Sequence, residues 1–441
     1  MREWTAQEVA RAAGARLVQP APERRVPGPL RAVIDSRAVE AGDLFVGLPG
    51  DNVDGGRFAP QALADGAWGV LVAPEHAEAA RCAPGGRDGV PLLAADDPLA
   101  ALQRLATAWR RALGAQVVGI TGSTGKTSTK DVLAGMLAPH RAVTATRANY
   151  NTEIGLPLTV LEAPPATEVL VLEMAMRGAG QIAELAAIAE PDVGVVVNVG
   201  PVHLEQLGSI EGVADEKATL LGALRPGGTA VVPAGEALLA ARAPGGVATV
   251  TFGPGGDVAE LPEGLELGFA SAHMRLNALA ALAAARAVGV EPAGRIDVAL
   301  SALRGQRREL PGGVVVIDDC YNANPMSMRA ALDDLAATAP GRRVAVLGDM
   351  LELGGDEAAF HRAIGRHARE RGIGVLVTVG PLAAVMGEGV GEATAVHPTT
   401  DAAQAAALAR ELVEPGDTVL VKGSRGVGLE VVARTLAGDQ G

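Results

Sequence analysis

Short, largely apolar runs alternate with longer amphipathic stretches through most of this chain, and the two periods separate strands from helices. Between residues 99 and 309 the strand candidates are 117–121, 169–173, 193–199, 230–232 and 249–252. A helix is expected over 99–113, with Leu102, Leu105, Ala106 and Trp109 on one face, and an alanine-rich one over 274–288. Beyond residue 310 the strand candidates 314–319, 343–349, 375–380 and 418–422 alternate with helical patterns at 326–339, 357–371 and 401–413. Before residue 98 there are short strands, among them 32–34, 44–46 and 69–72, between glycine- and proline-rich loops. Asp97-Pro98 is a natural boundary. Strands alternating with helices mean βαβ units and mostly parallel sheets. The expectation is an α/β protein of three domains: a small α/β domain over 1–98, a central mostly parallel sheet over 99–309, and a Rossmann-like open sheet over 310–441.

Composition narrows the possibilities. A chain of 441 residues suits three domains. It is 48% hydrophobic but only 2% aromatic, so its cores are built from Ala, Val and Leu. A net charge of −13 argues against nucleic acid, which calls for a basic face. No apolar run approaches the ~20 residues needed to cross a bilayer. Met1-Arg2-Glu3-Trp4 carries no signal-type apolar core, and two cysteines, Cys82 and Cys320, suit a reducing compartment. A soluble cytoplasmic protein is expected.

The chemistry concentrates at residues 119–129, Gly-Ile-Thr-Gly-Ser-Thr-Gly-Lys-Thr-Ser-Thr, directly after a strand and opening a helix. Such a loop cradles phosphate with backbone N–H groups. Gly122 and Gly125 let the backbone come close, Lys126 supplies mobile positive charge, and the Thr127 hydroxyl is placed for Mg²⁺. The general phosphate-loop pattern has glycine where this chain has Ile120, so the chain fits the narrower form Thr-Gly-x-x-Gly-Lys-Thr. Glu173 ends the next strong strand, where a carboxylate can hold Mg²⁺ opposite Thr127. His203, in Asn198-Val199-Gly200-Pro201-Val202-His203, ends another strand and could ligate a metal or orient a phosphate. In the open sheet beyond 310, ligands are expected past the carboxyl ends of the strands.

The phosphate loop, Asn149-Tyr150-Asn151-Thr152-Glu153-Ile154-Gly155-Leu156-Pro157, Glu173, His203 and Asp215-Glu216-Lys217 together resemble the Mur ligases. Asp35-Ser36-Arg37 and Gly42-Asp43-Leu44-Phe45-Val46 resemble that family's amino-terminal UDP-substrate domain. Asp318-Asp319-Cys320-Tyr321-Asn322-Ala323-Asn324-Pro325, Gly348-Asp349-Met350-Leu351-Glu352-Leu353-Gly354 and Lys422-Gly423-Ser424-Arg425 extend the likeness to the end of the chain. They are most similar to the members that add a dipeptide. Cys320 stands where serine is usual.

The resemblance implies an ATP-driven amide synthesis joining D-alanyl-D-alanine to UDP-N-acetylmuramoyl-tripeptide through an acyl phosphate, in peptidoglycan precursor synthesis. It implies ATP held by Thr121, Gly122, Ser123, Thr124, Gly125, Lys126, Thr127 and Ser128. Asn277 is then expected at adenine, and Arg307 and Asp319 at the nucleotide. Mg²⁺ would be bound by Thr127, Glu173, His203 and a carbamylated Lys217; Lys126, His203, Lys217 and Arg307 would be catalytic. Ser36, Arg37, Asn151, Thr152, Tyr321, Asn322, Asn324, Lys422, Ser424 and Arg425 would contact the two organic substrates. A monomer is expected. The alternatives are a sister ligase of the family, a folylpolyglutamate synthase-like ligase, or a phosphate-loop regulatory NTPase. Without an Asn-Lys-x-Asp motif, a GTPase switch is disfavoured.

Overall fold

The structure is a computed structural model that describes residues 1, 3–19, 27–83, 89–242, 245–269, 271–299, 301 and 303–438. Its centre is a six-stranded, wholly parallel sheet. The strand order is Ala248–Phe252, Thr229–Pro233, Val193–Val196, Gln116–Thr121, Val169–Glu173, Val143–Ala145. Successive residues enter opposite faces, as the two-residue period requires. Val117, Leu170, Leu172 and Val196 join one core, while Val118, Ile120, Val171 and Val195 join the other. This is why the strands read as continuous apolar runs. The second core is closed by the helices Lys126–Leu137 and Ala272–Ala287, the latter buried along most of its length by alanines whose small side chains permit close approach.

The first core runs without interruption into the amino-terminal domain. That domain's five-stranded sheet, Arg16–Gln19, Leu92–Ala94, Gly69–Val72, Leu44–Val46, Ala32–Val33, is parallel except for its first pair. Helix Pro98–Leu113 packs against helix Ala6–Ala13 of the first domain and against helices Gly155–Glu162 and Gln181–Ala189 of the central one. Asp97 caps it by accepting from Ala100 N–H at 2.9 Å, and Trp109 meets Trp4 edge to face at 5.3 Å. The Asp97-Pro98 step is therefore a helix start but not a break in packing.

The third sheet has six strands in the order Gln306–Leu310, Val314–Asp318, Thr418–Lys422, Arg343–Gly348, Val375–Val379, Ala395–Thr399. Only the first pair is antiparallel. Its first strand begins at Gln306, ahead of the boundary expected at 310.

The strands Arg16–Gln19, Val143–Ala145, Gln306–Leu310 and Ala395–Thr399, which the apolar pattern did not announce, all lie at sheet edges and none is fully buried. Gln306–Leu310, Gln-Arg-Arg-Glu-Leu in sequence, has largely exposed side chains. Ala395–Thr399 carries Pro398, which a sheet edge tolerates.

Candidate active site

In the central sheet the chain leaves Gln116–Thr121 to one side and returns to the other, so the crevice past its carboxyl end is a topological switch point. The phosphate loop occupies that crevice. Gly125 has φ +75°, and a Cβ there would lie 2.4 Å from Asn277 Oδ1; one on Gly122 would lie 2.9 Å from Val197 Cβ. Both glycines are fixed by these close approaches. The loop is braced from the 198–200 strand end. Asn198 Oδ1 accepts from Thr124 N–H at 2.9 Å, and Asn198 Nδ2 donates to Thr124 Oγ1 at 3.0 Å. Ser123 Oγ exchanges hydrogen bonds with the Gly200 backbone at 2.9 and 3.1 Å. Lys126 folds back over the loop and donates to Gly122 O at 2.7 Å. Desolvation lowers its pKa, the Glu173 charge raises it, and the Arg304 charge lowers it.

Glu173 is 1% exposed. Its Oε1 accepts from Asn151 Nδ2 at 2.8 Å, while Oε2 is buried without a hydrogen-bond partner. The orphaned Glu173 oxygen and the buried Thr127 hydroxyl line one cavity, and hard oxygen donors of this kind fit Mg²⁺. Among the described residues no three His, Cys, Asp or Glu side chains cluster into a closed metal site. Lys217 is 2% exposed, and burial, followed by the nearby Lys126 charge, drives its pKa well below the usual lysine value. Its neighbour Glu216 accepts from Gly180 and Ile182 N–H, both at 2.8 Å. His203, at φ +51°, donates from Nδ1 to Glu352 Oε2 at 2.6 Å, so a residue of the third domain orients its ring. Burial lowers the His203 pKa, against the Glu352 carboxylate that raises it.

The third domain closes over the loop. Asn324 caps helix Pro325–Thr338 and also donates from Nδ2 to Ser123 O at 3.3 Å. Its turn chemistry and its place in the site are one arrangement. Lys422 Nζ donates to Asp319 Oδ2 at 2.6 Å and to Asn322 O at 3.0 Å. The Tyr321 ring lies under Arg304 at 3.9 Å, with Arg425 6.0 Å away. The buried Cys320 thiol donates to Val421 O at 3.4 Å, as a serine hydroxyl could.

These groups line one cavity of about 1750 Å³. Ser123 to Ser128, Asn151, Thr152, Glu173, His203, Asn277, Arg307, Asp319, Tyr321, Asn322, Asn324, Lys422, Ser424 and Arg425 all reach its wall. Thr121 and Gly122 lie buried behind the loop, and Lys217 beneath it. Ser36 and Arg37 do not line this cavity; the Arg37 side chain is 89% exposed and paired with Asp35 at 2.7 Å.

Three expected residues are occupied differently from the simplest reading. Arg307 donates to Asp334 and Thr338 at 2.7 and 2.6 Å. Asn277 packs its amide against Gly125. Ser424 Oγ accepts from Leu351 N–H at 3.0 Å and donates to Ala323 O at 3.4 Å, holding two loops together. Sequence reasoning missed Asn198, Arg304 and Glu352 as site residues. Asn198 and Glu352 lie inside motifs that were noticed, whereas Arg304 is hidden in a run shared with Arg307 and Arg308. An apolar wall of Phe252, Phe269, Met274 and Leu276 completes the cavity next to the loop.

Three family descriptions match in chain order: Mur ligase family, catalytic domain at 32–110; Mur ligase middle domain at 120–285; and Mur ligase, glutamate ligase domain at 303–425. A UDP-N-acetylmuramoyl-tripeptide–D-alanyl-D-alanine ligase of Mycobacterium tuberculosis is 39% identical, covering 100% of this chain and 98% of its own. The crystal structure of MurF from Acinetobacter baumannii superposes with a TM-score of 0.85 at 29% identity, over 99% of both chains. That of MurF from Thermotoga maritima in complex with ADP gives 0.77 at 30%, over 93% of this chain and 97% of that one. With this likeness along its whole length, and with the phosphate loop and its carboxylate assembled as described, the chain belongs to the Mur ligase family.

Proposed function

We propose that the protein is an ATP-dependent, ADP-forming ligase that joins D-alanyl-D-alanine to UDP-N-acetylmuramoyl-tripeptide. The observation that carries this reading is the single cavity in which the phosphate loop, the partnerless Glu173 oxygen and the 319–324 turn of the third domain face one another. ATP fits with its base against Phe252, Phe269 and Met274 and its phosphates on the loop. Lys126 swings from Gly122 O to the γ-phosphate. The peptide carboxylate attacks the γ-phosphorus, giving an acyl phosphate and ADP. The neutral amine of the dipeptide then attacks the acyl carbon, and phosphate departs with the C–O bond electrons. Catalysis is mainly positioning and charge stabilisation.

Thr127 and Glu173 would hold Mg²⁺, which would supply positive charge to offset that of the phosphates. His203, with Nδ1 committed to Glu352, would have Nε2 left to ligate a second ion. Lys217 suits carbamylation, because a desolvated amine is kept in the neutral form that adds carbon dioxide. The first domain, through Ser36 and Arg37, is assigned to the UDP end of the substrate. The domain limits 1–98, 99–309 and 310–441 divide these tasks, with the strand Gln306–Leu310 belonging to the last. One chain supplies the whole site, which supports a monomer. Among the described residues no helix is long and apolar enough to cross a membrane, and a cytoplasmic site of action follows from the nucleotide substrates.

ADP release measured with ATP alone, with each organic substrate singly and with both tests this reading. Release that requires both is expected. Release independent of both would instead indicate a regulatory NTPase, and release with a single amino acid in place of the dipeptide would indicate a sister ligase.

A further inference from the structure

Just past the phosphate loop, two adjacent charges are buried together. Lys130 and Asp131 lie on helix Lys126–Leu137, and Lys130 Nζ is 2.6 Å from Asp131 Oδ1. Asp131 is also held by the chain that leads into the third domain: Ser301 N–H donates to its Oδ2 at 2.8 Å, and Ser301 Oγ to its Oδ1 at 3.2 Å. Lys130 donates in addition to Thr146 O at 2.8 Å. Thr146 is buried and directly follows the edge strand Val143–Ala145. Its N–H donates to Val171 O at 3.0 Å, and its Oγ1 accepts from Glu173 N–H at 3.0 Å. Farther along the same segment, Asn151 Nδ2 donates to Glu173 Oε1 at 2.8 Å. The 146–151 segment therefore grips Glu173 twice, at its backbone and at its carboxylate, and Lys130 holds the root of that segment.

Resting on the ligase reading, we propose that Lys130 and Asp131 are positioning residues for the metal carboxylate: acting through Thr146, the pair fixes Glu173 in the place where it would meet Mg²⁺. A buried ion pair adds little net stability, because desolvation offsets its attraction, and apolar side chains of similar volume fill such a space as well. What the charges add here is direction. A charge-assisted hydrogen bond is stronger than a neutral one, so Thr146 is held more firmly than packing alone would hold it. Glu173 Oε2 has no hydrogen-bond partner of its own, so its aim is set by the contacts at the backbone and at Oε1. Groups that orient a ligating side chain govern metal affinity without touching the metal. The helix that carries Lys130 also carries Lys126 and Thr127, so cation, hydroxyl and carboxylate are all referred to one rigid element.

Thr146→Val, Thr146→Ser and the double substitution Lys130→Met with Asp131→Leu test the assignment, with thermal melting to establish folding. The readouts are the affinity for ADP in chelator, the Mg²⁺ concentration that half-saturates the ADP complex, and steady-state ADP release. In chelator Thr146→Val and the double variant should bind ADP within about twofold of wild type, because the phosphate loop is untouched. Half-saturating Mg²⁺ should rise about tenfold in both, with kcat lowered by a similar factor. Thr146→Ser, which keeps the hydroxyl, should recover most of that loss. A folded Thr146→Val or double variant with half-saturating Mg²⁺ and kcat within about threefold of wild type would overturn the proposal. So would a Thr146→Ser as impaired as Thr146→Val. A loss of ADP affinity in chelator as large as that with Mg²⁺ would overturn it too, since it would mean a general loosening of the loop. If the double variant does not fold, Thr146→Val matching wild type is equally decisive against it. Wild type measured alongside separates the two readings: ADP release that needs both organic substrates upholds the ligase, whatever becomes of Lys130 and Thr146.

Discussion

Glu173 Oε2 is buried with no hydrogen-bond partner, an arrangement that costs about 1–3 kcal/mol in an ordinary core. Under the proposed function a bound Mg²⁺ would supply the missing partner. Glu173→Gln keeps an acceptor for Asn151 Nδ2 and removes the charge. Stability without nucleotide is therefore expected to hold or rise, while turnover falls about 100- to 1000-fold. The increase in melting temperature that Mg²⁺ adds to nucleotide binding should vanish; an undiminished Mg²⁺-dependent shift would dismiss the metal assignment. Lys217→Ala should be inactive and partly restored by added formate or acetate, whose carboxylate replaces the carbamate. Full activity without any added acid would exclude that role. At this scale the sequence was legible wherever chemistry is local. The loop glycines, Lys126, Thr127 and Glu173 stand where strand and turn grammar puts them. Side-chain direction was not legible. Ser424 turns inward to tie two loops, and Arg307 turns away to Asp334, because both choices depend on residues distant in sequence.

Most of the strands the pattern announced are buried on both faces, although the edge strand Ala248–Phe252 was expected as well and the buried Leu92–Ala94 was not named. Parallel strands covered on both faces announce themselves, whereas edge strands such as Gln306–Leu310 are defined by a partner's backbone. One element-level device depends on pH. His361, on helix Glu357–Glu370, is fully buried; its Nε2 accepts from Met350 N–H at 2.9 Å and its Nδ1 donates to Glu357 O at 2.6 Å. Only the neutral imidazole can do both, and burial lowers its pKa from 6.5. The unfolded chain therefore takes up a proton before the folded one does. This contribution to stability is complete above about pH 6.5 and is lost as pH falls from there through the lower folded value. His361→Ala, leaving the Met350 N–H without a partner, should cost about 1–3 kcal/mol at pH 8. Its unfolding free energy should also depend less on pH than wild type between pH 8 and 5. Parallel pH profiles in urea melts would show that His361 does not titrate on unfolding.

At the scale of the whole molecule, the central and third domains meet through few polar links, and two of them lie in the site itself. Asn324 reaches the phosphate loop at Ser123, and Glu352 reaches His203. Glu352 and His203 both have left-handed backbones, at φ +63° and +51°, an uphill conformation for residues with a Cβ. These two loops meet across the junction of the central and third domains. Under the proposed function, closure would bring the 319–324 turn over the phosphates and exclude the water that would hydrolyse an acyl phosphate. The Glu352 carboxylate is 43% exposed, so solvent screens the pair and its contribution to closure is modest, about 1 kcal/mol or less. Glu352→Ala is then expected to shift the open–closed balance by up to about fivefold rather than abolish closure. Small-angle scattering of the nucleotide-free variant should show a larger radius of gyration than wild type. If the dipeptide binds between the domains as proposed, its KM should rise by a similar factor, and Glu352→Gln, which retains an acceptor for Nδ1, should fall between the two. Identical scattering profiles and an unchanged dipeptide KM for Glu352→Ala would mean that the pair orients the His203 ring without holding the domains together.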